Sequence, residues 1–341
     1  MILTDERLRF HFTDFGILVP IRESKVVRVL EFLESHPSLA GKAWKLDPLT
    51  EVVTEADLRR VHSSSFVDRL YHEVRCADEI LKAYELVDAS GNYHRYAPET
   101  ATKPLSGFFG LVLLHVAGTV SACRVALKTG FAFFLGGGMH HAHFDHGTGF
   151  CLVNDLVIAA RKLQAEHAVQ DVWIIDIDAH KGDGTASLTQ GDDTLLTLSL
   201  HMADSWPLDE PTRLERGESN PSLILSDVDI GMRKGEDDRY LYRLEAGLEE
   251  LERLALERRG RLPDLALVVD GSDPYEKDEL PSTADLQLTL PQMLQRDLMV
   301  DTFLTRRGIP AAWVNAGGYG DSVWEVYAQF LGAVLPGKLG S

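Results

Sequence analysis

From residue 131 onward, five short apolar runs recur, each running out into glycine or polar residues. They are Phe131–Leu135, Val172–Ile175, Thr194–Leu200, Leu265–Val269 and Ala311–Asn315. Runs of this kind read as strands buried on both faces, which occur where helices cover both sides of a parallel sheet. Amphipathic stretches fill the intervals. Leu241, Leu244, Leu248, Leu251 and Ala255 step by three and four, predicting a helix that Gly260 and Pro263 end. Thr289 before Leu290-Pro291 predicts the start of another, closed by Gly308 and Pro310. A third is expected after Gly149-Phe150-Cys151, with Leu152, Leu156, Val157 and Leu163 inward. The alternation implies an α/β protein: one central, mostly parallel β-sheet with helices on both faces. A single domain over residues 1–335 accounts for the chain, with 336–341 expected as a frayed tail.

The strand ends carry the chemistry. Gly136-Gly137-Gly138-Met139-His140-His141 follows the first run, and the second leads into Asp176-Ile177-Asp178-Ala179-His180-Lys181-Gly182-Asp183. In a parallel sheet both sets emerge at one edge, where open α/β sheets build their sites. Three imidazoles and three carboxylates on one patch need a cation to balance them. In extended backbone, residues two apart point the same way, so Asp178 and His180 can offer an oxygen and a nitrogen to one metal. Asp176 shares that face, and Asp183 lies in the turn made by Gly182 and Gly184. The fourth run leads into Asp270-Gly271-Ser272-Asp273 and adds another carboxylate. Asp178, His180 and Asp273 then make a three-ligand set with an open position, the pattern of a catalytic zinc-type site. The same donors suit ferrous iron.

Amide hydrolysis with a metal also needs a base and an acid, which His140 and His141 can supply. Asp176 and Asp183 can each orient one imidazole. Asn315-Ala316-Gly317-Gly318-Tyr319-Gly320 ends the last run in glycines around one tyrosine. Tyr319 reads either as a cap on the core or as a phenol donor to an oxyanion. Asp227-Val228-Asp229 repeats the D-x-D pattern without a histidine and is assigned no role.

Charge and cysteine content narrow the partners. Lys and Arg number 34 against 52 Asp and Glu, a formal charge of −18. Gripping nucleic acid needs clustered cations, so no nucleic-acid partner is expected. Cationic substrates such as lysine side chains or polyamines are compatible with this balance. Cys76, Cys123 and Cys151 include no C-x-x-C pair and point to a reducing compartment. The first sixteen residues carry charges where a signal peptide needs an apolar core, and no run is expected to reach the length of a membrane span. A cytoplasmic protein with no membrane partner is the expectation. The polar, helix-poor segment Asp88–Pro104 is long for a loop and is a candidate rim for the site.

Four separated motifs, in this order, resemble those of the histone deacetylase family, whose fold is shared with arginases. The resemblance runs roughly from Val19-Pro20-Ile21-Arg22 to Gly320. Gly137–Cys151 resembles the dihistidine segment, Asp176–Gly184 the metal-binding segment, Gly271-Ser272-Asp273 the last metal ligand, and Gly317-Gly318-Tyr319 the tyrosine loop. The GGG-x-HH form and the Asp-Ala-His step resemble the class IV branch more than the polyamine branch, which usually has a proline before its Gly-His-His.

The resemblance implies the arginase/deacetylase fold and zinc-dependent removal of an acyl group, acetyl or longer, from lysine side chains. It implies zinc on Asp178, His180 and Asp273. His141 would be base and then acid, oriented by Asp183, while His140, paired with Asp176, would be mainly electrostatic. Tyr319 would bind the carbonyl oxygen. Phe150, with Gly149, would form one wall of a narrow acyl-lysine channel, and Arg22 would sit by an inner cavity through which the acid product leaves. Asp176 and Ser199 match a structural potassium site. Two departures stand out: Lys181 takes the place of a second histidine, and residues 274–283 follow the usual loop only loosely. Asp88 is a candidate, by position, for the rim aspartate that holds a substrate backbone. His143, Asp145 and His146 are assigned to the rim.

Other functions fit less well. An acetylated polyamine or another small acylated amine is an alternative to acyl-lysine protein or peptide, and the rim loops that would separate them carry no clear signal. An arginase-like ureohydrolase needs D-x-H-x-D and a later D-x-D for its second manganese. Here Asp183 falls three residues after His180, and two residues separate Asp270 from Asp273. A non-catalytic acyl-lysine binder predicts loss of a ligand, the dyad or the tyrosine, and all are present. The sequence leaves the oligomeric state unknown.

Overall fold

The structure, a computed structural model, describes residues 1–339 except 23, 89, 210 and 213–218. Five of its strands are the expected runs, shifted by at most two residues: β3 (Phe131–Phe134), β4 (Val172–Asp176), β5 (Leu195–Met202), β7 (Leu265–Asp270) and β8 (Ala311–Asn315). Three more escaped the reading. β1 (Ile2–Leu3) and β2 (Lys45–Leu46) are too short for any periodicity to show, and β6 (Val228–Met232) is a half-buried edge strand. All pair in parallel in one sheet, in the order β2-β1-β3-β8-β7-β4-β5-β6.

Helices α1 (Ser24–Ser35), α2 (Glu55–Arg59), α3 (Ser64–Leu70), α4 (Glu73–Ala83) and α5 (Phe108–Thr129) precede β3. Helices α6 (Asp155–Ala165), α7 (Asp183–Thr189), α8 (Tyr240–Arg259), α9 (Leu290–Arg306) and α10 (Trp324–Lys338) follow it. The stop and start signals act as chemistry requires. Gly260 closes α8 in the left-handed conformation, and Thr289 opens α9 in a capping box with Gln292. The third expected helix starts later than Leu152. Asn154 caps it by accepting a hydrogen bond from Val157 N, so Leu152 packs ahead of the helix.

Two expectations are corrected. The stretch Leu105–Thr129 is long and apolar enough to cross a membrane by length and composition. It is apolar on most sides because it is a core helix, packed along β3 and β8 and against α6. The tail expected from 336 is helical through Lys338, with Pro336 inside the last turn; Lys338 Nζ donates to Thr305 Oγ1 and pairs with Asp301, both on α9. Residues 340–341 lie outside the described residues.

Successive residues of the central strands alternate between two apolar layers. Ile174, Leu265, Leu267 and Val269 face α5 and α6, whereas Trp173, Ile175, Ala266 and Val268 face α1, α8, α9 and α10. Each fully buried Val, Leu or Ile contributes about 1.5–3 kcal/mol, so neither layer is dispensable. Asp270 at the end of β7 lies in register with Asn315 of β8, and Asp176 of β4 with Val269. From β4 the chain moves outward through β5 and β6, then returns to lay β7 on the other side of β4. Such a reversal opens a crevice at the carboxyl ends of the strands. The four motifs leave β3, β8, β7 and β4, which are consecutive in the sheet.

Candidate active site

Asp178, His180 and Asp273 are buried, and their ligand atoms all lie within 4.8 Å of one another. His180 Nδ1 is 3.1 Å from Asp273 Oδ2 and 3.4 Å from Asp178 Oδ1. Backbone groups aim the carboxylates. Ala179 N donates to Asp273 Oδ1 at 2.9 Å, His180 N to Asp178 Oδ1 at 2.9 Å, and Gly317 N to Asp178 Oδ2 at 2.8 Å. A Cβ on Gly317 would run into the carboxylates of both Asp178 and Asp273, so only glycine keeps the space between them open. Burial works against charge on His180, but its bonds to Asp178 and Asp273 prevail and lift it to about 10. Burial likewise opposes a charged Asp178, yet His140 and His180 hold it well below the carboxylate range. Burial and the charge of Asp178 push Asp273 up to about 6. Two oxygens and a nitrogen converging on a space free of side chains are a donor set that fits one divalent cation.

Beside this set stand two histidines on the turn that follows β3. The carboxylate of Asp155 accepts from Gly138 N at 3.1 Å and Met139 N at 2.6 Å, and so clamps the turn. His140 Nδ1 lies 2.7 Å from Asp176 Oδ2, and His141 Nδ1 lies 2.7 Å from Asp183 Oδ1, with the two rings 3.9 Å apart. Asp183 is the first residue of α7, whose close approach depends on Gly184: a Cβ there would run into the backbone of His141. Burial opposes charge on His140, but Asp176 and Asp178 outweigh it and raise it to about 9. His141 goes the other way, to about 4, because burial and the neighbouring His140 outweigh Asp183.

Tyr319 is buried, and its backbone is held by residues 278–279. Its N–H donates to Asp278 Oδ2 at 2.7 Å, and its carbonyl accepts from Glu279 N at 3.1 Å. Burial, with Asp273 and Asp178 nearby, pushes the phenol well above 10, so it stays a proton donor. Phe150 lies 6.3 Å from the Tyr319 ring and, like Gly149 before it, adopts the left-handed conformation. For a phenylalanine that costs on the order of 1–3 kcal/mol, a strain that recurs where a site dictates the backbone. The Trp206 ring packs against His141 at 4.6 Å and His180 at 5.8 Å. One cavity, about 1200 Å³ with its open mouth, is lined by the dyad, Asp178, His180, Gly149, Phe150 and Tyr319, and continues to Arg22, Lys25 and Phe108.

Residues 19–334 match the histone deacetylase domain. The chain belongs to the histone deacetylase family. An uncharacterised protein of Picosynechococcus sp. is 32% identical over 275 residues, covering 80% of this chain and 83% of its own length. Histone deacetylase 2 of Arabidopsis thaliana is 26% identical over 92% of this chain and 73% of its own. Acetoin utilization protein AcuC of Staphylococcus aureus is 27% identical over 95% of this chain and 77% of its own. Among solved structures, the HDA15 HD domain superposes with a TM-score of 0.68 at 20% identity, over 100% of this chain and 91% of that one. A histone deacetylase homologue from Aquifex aeolicus gives 0.67 at 21% identity, over 99% and 83%. These two likenesses show the shared fold.

The dihistidine, Asp178–His180 and tyrosine segments line this cavity, and Asp273 reaches it through His180, 3.1 Å away. Ser199 lies in register with Asp176 and accepts from Gly182 N at 3.4 Å. Arg22 lines the cavity but is exposed; the buried cation there is Lys25, three residues on, whose Nζ donates to Ala316 O at 3.0 Å. Burial lowers Lys25 to about 8 despite four nearby aspartates.

His143 does not belong to the rim. It is buried, with Nε2 3.1 Å from the second oxygen of Asp183 and Nδ1 2.9 Å from Ser187 Oγ. Asp145 is exposed, His146 half-buried, and the two pair with each other. Asp88 accepts from Ser90 N and Asn92 N in its own turn, while Arg95 of the same segment lies 5.5 Å over the Phe150 ring. The unassigned Asp229 pairs with buried Lys181 at 3.1 Å and with His201 at 3.1 Å, tying the turn after His180 to β6. Lys25, Trp206 and Asp278 escaped the sequence reading because each is a lone residue on an element that carries no motif.

Proposed function

We propose that this protein is a metal-dependent deacylase that hydrolyses the amide between an acyl group, acetyl or longer, and a lysine side chain. The observation that carries the reading is the meeting, at one cavity, of Asp178 and His180, which form a donor set with Asp273 behind them, with a neutral imidazole and a protonated phenol. Zinc held by Asp178, His180 and Asp273, or ferrous iron in its place, would supply Lewis-acid polarisation of the amide carbonyl and a more acidic water. His141, fixed through Nδ1 by Asp183, keeps Nε2 for the proton of the attacking water and then returns it to the leaving amine. His140, charged beside Asp176, stabilises negative charge as it develops. The Tyr319 hydroxyl donates to the carbonyl oxygen. Phe150, Gly149 and Trp206 pack the methylenes of the lysine, and the acid product has Arg22 beside its way out. Asp176 and Ser199 are the pair proposed for a structural potassium. The three cysteines are free and buried, which supports a reducing compartment such as the cytoplasm.

Turnover of acyl-lysine peptides, acetyl through long fatty acyl, and of acetylated polyamines tests this, using chelator-stripped protein with and without added zinc or ferrous iron. Metal-dependent peptide turnover is expected. Turnover of polyamines alone would move the substrate to small acylated amines, and silence with bound metal would favour an acyl-lysine binder.

A further inference from the structure

Behind the donor set lies a guanidinium that solvent does not reach. Arg296 of α9 is 0% exposed. Its Nη1 donates to Ile177 O at 3.0 Å and Gly271 O at 2.7 Å. Nη2 donates to Asp270 Oδ1 at 2.5 Å, and Nε to Asp297 Oδ1 at 2.7 Å. Both carbonyls belong to segments that carry donors: Ile177 precedes Asp178, and Gly271 stands two residues before Asp273. The ladder between β4 and β7 extends to Ile177 N, which donates to Val269 O at 3.1 Å. Beyond it, among the described residues, no backbone-to-backbone hydrogen bond joins the two segments, although Ala179 N reaches the Asp273 carboxylate. One nitrogen of Arg296 bridges them where the ladder stops.

Stability alone does not call for a cation there. Removing a guanidinium and two carboxylates from water costs several kcal/mol per ion, and apolar groups of the same volume often hold a core equally well. Met293, Val300 and Leu304 already anchor α9 in the core. What the planar fork adds is direction, since it fixes two carbonyls and two carboxylates at set angles. Metal donors need such control, because their distances to the ion are held to about 0.2 Å.

We propose that Arg296 is a positioning residue for the metal site, setting the separation between the Asp178–His180 turn and the Asp273 turn. The inference rests on the metal-dependent reading above. Its test is the zinc dissociation constant of the folded protein, measured by competition with a chromophoric chelator, beside the melting temperature of the metal-free form. Arg296→Lys keeps the charge and loses the fork. The triple variant Arg296→Met, Asp270→Asn, Asp297→Asn leaves no uncompensated buried charge and serves where the single one does not fold. Zinc affinity about ten- to a hundredfold weaker in a folded variant is expected, the usual range for residues that orient metal ligands. Parental affinity in a folded variant, or loss of fold in both, would overturn the proposal and leave Arg296 a core residue. A parent that binds no divalent metal would instead sink the functional reading itself.

Discussion

His140–Asp176 and His141–Asp183 are built alike and behave oppositely. Each is a buried imidazole 2.7 Å from a carboxylate, and the rings are neighbours. Yet the first imidazole is raised to about 9 and the second lowered to about 4. Burial penalises both. His140 faces a second carboxylate, Asp178, in addition to its partner. His141 has only Asp183, shares it with His143, and lies beside the charge of His140. Hydrogen-bond geometry therefore does not set protonation here; the count of charges around each ring does. In the proposed mechanism, one pair would hold a proton for electrostatics and the other would keep a nitrogen open for proton transfer.

The widest separation should appear in turnover. With bound metal verified, His141→Ala is expected to lower kcat/KM by about 10²–10⁴, and His140→Ala by clearly less. Equal losses would break the distinction. Tyr319→Phe belongs to neither pair and gives a yardstick, with a loss of about 10²–10³ in kcat if the phenol meets the oxyanion; undiminished turnover would remove that role.

Imidazole titration followed by ¹⁵N NMR in the metal-free protein sharpens the comparison further. One dyad histidine should titrate near 9 and the other near 4. Asp176→Asn should pull the high value down and leave the low one in place. His143→Ala frees the second oxygen of Asp183, which then supports the His141 cation more strongly. The low value should rise by less than about one unit, since a hydrogen bond contributes about 1 kcal/mol net.

The smallest effect concerns stability. Asp278 is pushed up to about 7 by burial and by Asp273, from an unperturbed 3.8. The folded chain thus keeps a proton that the unfolded chain releases, and the stabilising contribution present below about 4 is lost as pH rises through 7. Asp278→Asn should flatten the fall in melting temperature between pH 4 and 7; an unchanged slope would assign it to other groups.

Much of the fold was legible because it is local. Strands buried on both faces must be apolar throughout, so β3, β4, β5, β7 and β8 stand out as uninterrupted runs. Parallel pairing sends all their carboxyl ends to one edge, which is why chain order alone groups His140, His141, Asp178, His180, Asp273 and Tyr319. The two-residue β1 leaves no such trace, nor does β6, a half-buried edge strand interrupted by Asp229 and Gly231, and α5 hid because a helix buried on most sides has no polar stripe to count.

The sequence by itself determined which residue types stand at the strand ends and in what order, since strand period and chain direction dictate that much. Only the tertiary structure decided their electrical state. His143 reaches Asp183 from a turn read as rim, Asp278 holds Tyr319 from a loosely patterned loop, and Arg296 meets Ile177 and Gly271 from a distant helix. Burial and the sum of nearby charges depend on every element packed around a group, and no spacing along the chain encodes that sum.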